Sequence, residues 1–212
     1  MKPERYLIRN RPLILAAALV ALSFAGTMLA QTSSPPVVVI ETSMGSITVE
    51  LNPEKAPKTV ANFLSYVKED FYRGLTFHRV IPGFMIQGGG FAPDMTKKPT
   101  PRPPVQNEAG NELKNVRGAI AMARTAVVDS ATSQFFICVA DKPALDHRGE
   151  TPDAFGYAVF GKVTSGMEVV DKIAETQTGT KGQYQNVPVT PVVIKTIRLK
   201  GAAAAPKPKP KA

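Results

Sequence analysis

Phe77-His78-Arg79-Val80-Ile81-Pro82-Gly83-Phe84-Met85-Ile86-Gln87-Gly88-Gly89 is the segment on which the fold turns. Leu75–Ile81 and Gly83–Gln87 are short apolar, β-branched and aromatic runs on either side of a Pro-Gly pair, which predicts two strands joined by a turn. Side chains alternate across a strand, so Met85 and Gln87 share one face while Ile86 takes the other. Gln134–Val139 repeats the arrangement, with Gln134 and Phe136 on one side and Phe135, Ile137 and Val139 on the opposite, core-directed side. Two strands thus present an amide and an apolar group on a common face, with Arg79 nearby. On composition alone, two barrel strands with ordinary surface residues look the same, and both readings stay open at this point. Gln87–Gly90 lacks the Gly-Lys-Ser/Thr ending of a phosphate-cradling loop, so its glycines predict a tight turn where a side chain would clash.

Upstream, Val37–Ile40 and Ser46–Leu51 are strand-like around a Ser43-Met44-Gly45 turn. Asn52–Pro57 opens a helix with Val60, Phe63, Leu64 and Val67 at helical spacing. Downstream, Gly118–Met122, Gly156–Val163 and Val189–Leu199 read as strands, and Gly166–Ala174 as a second helix burying Val169, Val170 and Ile173. Lys97–Pro104, rich in proline, is a surface loop. Many short strands and two helices predict a mainly β protein, a closed β architecture capped by helices and not a doubly wound sheet.

The chain has 212 residues and a formal charge of +9. Lys2, Arg5, Arg9 and Arg11 against Glu4 give residues 1–30 a net +3, and Lys200, Lys207, Lys209 and Lys211 give residues 200–212 a net +4. Little positive charge remains for the body, where no basic stripe with interleaved aromatics occurs; nucleic acid is therefore not an expected partner. A cationic start followed by the apolar run Leu13–Leu22 and small residues makes 1–30 a signal peptide, with cleavage near residue 25 or 30. The alternative is an uncleaved anchor, since Leu13–Ala30 is apolar enough to span marginally. Residues 31–36 form a short leader, 37–199 one globular domain, and 200–212 a disordered Ala/Pro/Lys tail. The implied location is the periplasm, or the membrane facing it. Cys138, the sole cysteine, cannot form an internal disulfide and reads as a small strand hydrophobe. His78 and His147 show no metal-site spacing.

Phe77–Phe91 and Ser133–Cys138 strongly resemble the two signature stretches of the cyclophilin family of prolyl isomerases. The similarity continues through Ala56–Phe71, Arg117–Ala126 and Phe155–Val163, and so covers nearly all of 37–199. Met122–Ala126 and Phe155–Val163 look like the periplasmic bacterial members. The resemblance implies an eight-stranded antiparallel β-barrel closed by a helix at each end. It also implies peptidyl-prolyl cis/trans isomerase activity on X-Pro bonds of exported proteins, needing no cofactor and no metal. By matching position, Arg79 is the implied catalytic residue. Gln87 and Gln134 position it and the substrate backbone, and Phe84, Met85, Phe136 and Leu145 form the proline pocket. Ala123, Arg124 and Thr125 match the segment whose main chain pairs with the peptide, and Tyr157 stands where many eukaryotic members have histidine. Two departures are evident: Arg124 replaces an asparagine common among relatives, and Ala144 replaces a rim tryptophan of eukaryotic members. The expected partners are proline-containing unfolded or extended polypeptides, and a monomer is the default. A groove that binds without catalysing, or an envelope protein using the tail, are the competing readings.

Overall fold

The computed structural model describes residues 34–201. The expected signal peptide, and all but the first two residues of the expected tail, lie outside them. Val37–Thr42 (β1) and Gly45–Leu51 (β2) form a hairpin whose turn is tied by the Thr42 hydroxyl, which donates to the Gly45 carbonyl at 2.7 Å. Helix α1, Pro57–Lys68, starts with proline, whose missing N–H is no loss in a first turn. It has no acidic residue of its own there. Glu108 supplies the charge from a distant loop, accepting from the N–H groups of Lys58 at 3.1 Å and Thr59 at 2.8 Å. Val60, Phe63 and Val67 are buried as their spacing predicts, and Leu64 packs at the edge of the core.

The remaining elements are β3 (Thr76–Ile81), β4 (Met85–Phe91), β5 (Ala119–Met122), β6 (Phe135–Cys138), β7 (Val159–Ser165), α2 (Met167–Ala174), β8 (Thr178–Lys181), β9 (Tyr184–Pro188) and β10 (Ile194–Leu199). Eight strands make one antiparallel sheet in the order β10-β1-β2-β7-β5-β6-β4-β3. Its ends meet: Phe77 N–H donates to the Val192 carbonyl at 2.9 Å, and Ile194 N–H to Leu75 at 2.7 Å. The sheet is thus a nearly closed barrel, joined at this short seam. Period-2 alternation divides the side chains. Ile86, Ile120, Phe135 and Ile137 point to the main core, where Phe63 of α1 meets Phe135 edge-on at 5.7 Å. Among the described residues no helix is long and apolar enough to cross a membrane.

Four local expectations need correction. The glycines after Gln87 do not make a tight turn; they continue β4 to Phe91 as a bulged strand, with Gly89 at φ +87°. The expected clash is nonetheless real, since a Cβ on Gly90 would lie 2.6 Å from the Gln134 side chain. Strand β7 begins at Val159 rather than Gly156, because Gly156 sits at φ +80°. Strand β10 begins at Ile194 rather than Val189, whose neighbours Pro188 and Pro191 have no N–H for a ladder. Finally, β8 and β9 form a separate hairpin that the sequence did not announce, since β8 is polar and the few apolar residues of β9 do not alternate.

Candidate active site

Register lines up the outward faces of four strands. Arg79 on β3 pairs with Gln87 on β4, Gln87 with Phe136 on β6, and Phe136 with Ala121 on β5. These outward residues make a second apolar cluster separate from the core, with Met85, Phe136 and Cys138 buried in it and Phe84, Leu145 and Tyr157 packed around them. At its centre is a pocket of about 100 Å³, lined by Arg79, Phe84, Met85, Gln87, Ala123, Arg124, Phe136, Leu145 and Tyr157. That is room for a small ring, or for three waters at about 30 Å³ each. Phe136 and Tyr157 meet edge-to-face at 5.6 Å and form its aromatic wall.

Arg79 is half-buried at the pocket's lip. Its guanidinium donates to Gln87 Oε1 at 3.4 Å, and Gln87 Nε2 donates to Gln134 Oε1 at 3.0 Å. The first contact is long and leaves most of the guanidinium's donors uncommitted. Among the described residues no carboxylate lies within ion-pair reach of Arg79. A neutral amide therefore holds the cation in place without cancelling its charge.

Leu145 ends a single 3-10 turn, Pro143–Leu145, and the next residue pins it: Asp146 accepts from the Asn115 N–H at 2.7 Å and the Asn115 side chain at 3.0 Å. Tyr157 N–H donates to the Leu145 carbonyl at 3.0 Å, joining the two walls. The Arg124 side chain braces the Tyr157 loop. It donates to the carbonyls of Gly156 (2.9 Å), Pro152 (2.7 Å) and Thr125 (3.0 Å), with its guanidinium 4.9 Å from the Tyr157 ring centre. Nothing in the residue pattern pointed to that brace.

Thr125 and Gln134 do not line the pocket. The Thr125 N–H and hydroxyl both contact Ser130 at 2.9 Å, and Ala123 N–H donates to the Gln134 carbonyl at 3.0 Å. The main chain of Arg124 makes no such backbone bond among the described residues. Of the three expected strand-pairing residues, it has its N–H and C=O available. Ala144 is exposed at the rim and provides no aromatic wall.

The titratable neighbours are held neutral. Burial lowers the His78 imidazole to about 4, so it carries no charge beside Arg79 near neutrality. Burial likewise pushes the Cys138 thiol up to about 12, which makes it a packing residue and not a nucleophile. The arrangement offers one cation, two amides and an apolar slot, suited to gripping a small ring and donating to atoms beside it.

Residues 37–199 match the model of the family described as cyclophilin type peptidyl-prolyl cis-trans isomerase/CLD. The chain is 55% identical over 189 residues to peptidyl-prolyl cis-trans isomerase A of Dickeya dadantii, covering 88% of this chain and 96% of that protein. It is 50% identical over 162 residues to peptidyl-prolyl cis-trans isomerase B of Escherichia coli K12, covering 76% and 98%. Among solved structures, a Cryptosporidium parvum cyclophilin-type isomerase crystallised in the presence of the dipeptide Ala-Pro superposes with a TM-score of 0.61. It is 27% identical and covers 77% of this chain and 98% of that one.

Proposed function

Because this chain belongs to the cyclophilin-type peptidyl-prolyl cis-trans isomerase family, and is thereby an isomerase of X-Pro bonds, we propose that Arg79 stabilises the twisted amide and that the protein works on exported polypeptides. An X-Pro bond is planar by resonance and rotates unaided in tens to hundreds of seconds, over a barrier near ~20 kcal/mol. No bond breaks, so the reaction needs no nucleophile. Rotation leaves the proline nitrogen pyramidal, with a free lone pair. A donor aimed there binds the twisted form better than either planar form, which is the condition for catalysis.

The carrying observation is the Arg79 guanidinium, held at the lip of an apolar pocket by a neutral amide with no acid opposite. The pocket takes the proline ring; Phe136, Met85 and Leu145 exclude water from one side, which strengthens donation by Arg79. The main chain of Arg124 pairs with the residue beside the proline. A charge-assisted hydrogen bond contributes roughly 1.5–3 kcal/mol, and each tenfold in rate needs about 1.4 kcal/mol. Arg79 thus accounts for one to two decades, and restraint of the chain supplies the rest. Arg79→Ala should lower turnover on a short X-Pro peptide by at least about tenfold with the thermal midpoint unchanged; full activity in a protease-coupled assay removes the mechanism. Proline-containing peptides as substrates fit the Ala-Pro present with the Cryptosporidium relative. The export reading rests on the cationic and apolar order of residues 1–30. Mature protein that still begins at Met1 would remove cleavage from the account.

A further inference from the structure

Arg79 and Gln87 line two depressions, not one. On their other side lies a cleft of about 480 Å³, walled by His78, Phe91 and Gln134 and closed by Gln183, Tyr184, Gln185 and Asn186 of the β8–β9 hairpin. We infer that this cleft is a second substrate subsite, which takes the extended, uncharged backbone of the same polypeptide beyond Arg79 from the proline pocket. The inference rests on the isomerase reading and extends it by naming what the site grips besides proline.

Continuity carries the first part. The proline pocket lies over β5, β6 and β4, Arg79 stands on β3, and β9 lies beside β3. The shared residues Arg79 and Gln87 make the two depressions one groove running across the strands. The step from β4 to β3 is about 4.8 Å, and β9 packs beside β3 without pairing with it, so a few residues of extended chain reach from the pocket to the cleft.

Chemistry carries the second part. Apart from Arg79, no cleft-lining residue carries a charge near neutrality, since burial keeps His78 neutral there. Gln134, Gln183, Gln185 and Asn186 bring carboxamides, each with donors and acceptors that match a peptide main chain whatever its side chains are. Gln183 and Gln185 are exposed, so their amides face solvent until a ligand arrives. Tyr184 is fixed against Phe91 at 5.1 Å, and Phe91 against His78 at 4.5 Å, giving the cleft a rigid aromatic floor. Lys181 Nζ donates to the Pro93 carbonyl at 3.0 Å and ties the hairpin to the barrel. Amides over aromatics on a fixed hairpin select for extended polypeptide and not for a particular sequence.

The test is exchange NMR on a capped Ala-Ala-Pro-Ala peptide and on two versions lengthened by four Ser/Ala residues, one on each side. Lengthening on the side that reaches the cleft should raise kcat/KM about fivefold, equivalent to about 1 kcal/mol. The gain should vanish in the Gln183→Ala/Gln185→Ala double variant, each variant being referred to its own rate on the short peptide. Amide resonances of Gly182–Asn186 should shift with the active long peptide and not with the short one. No gain from either extension, or a gain that survives in the double variant, overturns the subsite while the isomerase reading stands. Absence of turnover on the short peptide would defeat the isomerase reading itself, and the subsite with it.

Discussion

Replacing Gln87 by glutamate keeps size and shape, puts a negative charge opposite Arg79, and removes the N–H that Gln134 Oε1 accepts. Gln87 Oε1 already lies 3.4 Å from the guanidinium, so Gln87→Glu creates an ion pair once the Gln134 amide turns its N–H toward the new carboxylate. At that separation the attraction is about 1 kcal/mol with the dielectric of water and about 5 kcal/mol at an effective dielectric of 20. Arg79 is half-buried at a groove mouth, so the value lies toward the lower end, at about 1–2 kcal/mol. That energy holds Arg79 in the ground state and is subtracted from its donation to the twisted amide. Turnover should fall roughly fivefold to thirtyfold. Stability should change by no more than about 1 kcal/mol, because the ion pair adds about 0–1 kcal/mol while the donation to Gln134 Oε1 is exchanged. The assay is protease-coupled isomerisation beside thermal unfolding of the same samples. Wild-type turnover in a folded Gln87→Glu protein would show that an uncancelled charge at Arg79 is not what the reaction uses.

Arg124→Ala removes the brace behind Tyr157 and should lower kcat/KM several-fold through KM, about 1 kcal/mol. Arg124→Lys should not rescue it, since one ammonium does not span the three carbonyls that the guanidinium joins; equal KM in all three proteins refutes the brace. His78 governs part of the acid response. Its folded value is about 4 against 6.5 for the free side chain, so between those limits the unfolded chain binds the extra proton. Stability therefore rises with pH through that window and is lost as pH falls from about 6.5 toward 4, by about 3 kcal/mol at most. Urea midpoints of His78→Gln should lose that part of the slope, and an unchanged slope would assign it elsewhere.

Period-2 alternation exposed the strands and their faces, because in a closed barrel each strand has one side in the core and the other outside. Phe135 and Ile137 inward, with Gln134 and Phe136 outward, follow from spacing alone. Glycine was ambiguous for the opposite reason: Gly88–Gly90 tolerates both a turn and a bulged strand, and the pairing of Gly88 with Phe77 and Phe135 is a long-range contact that local sequence does not show. The β8–β9 hairpin has no apolar alternation to betray it. That Arg79 is the acting residue came from resemblance, since an arginine beside two amides has no composition signature. The Arg124 brace was illegible because its acceptors are main-chain carbonyls up to 32 residues away, which any residue type supplies.

Barrel closure also sets an order of assembly. Leu199 pairs with Val38, and Val192 and Ile194 meet Phe77 and Leu75. The last strand and the residues just before it thus supply the partners for β1 and for the start of β3. A chain lacking this segment leaves the outer edge of β1 and the start of β3 unpaired. The barrel therefore cannot close before its final strand is in place, which makes the first and last segments of the domain partners in one seam.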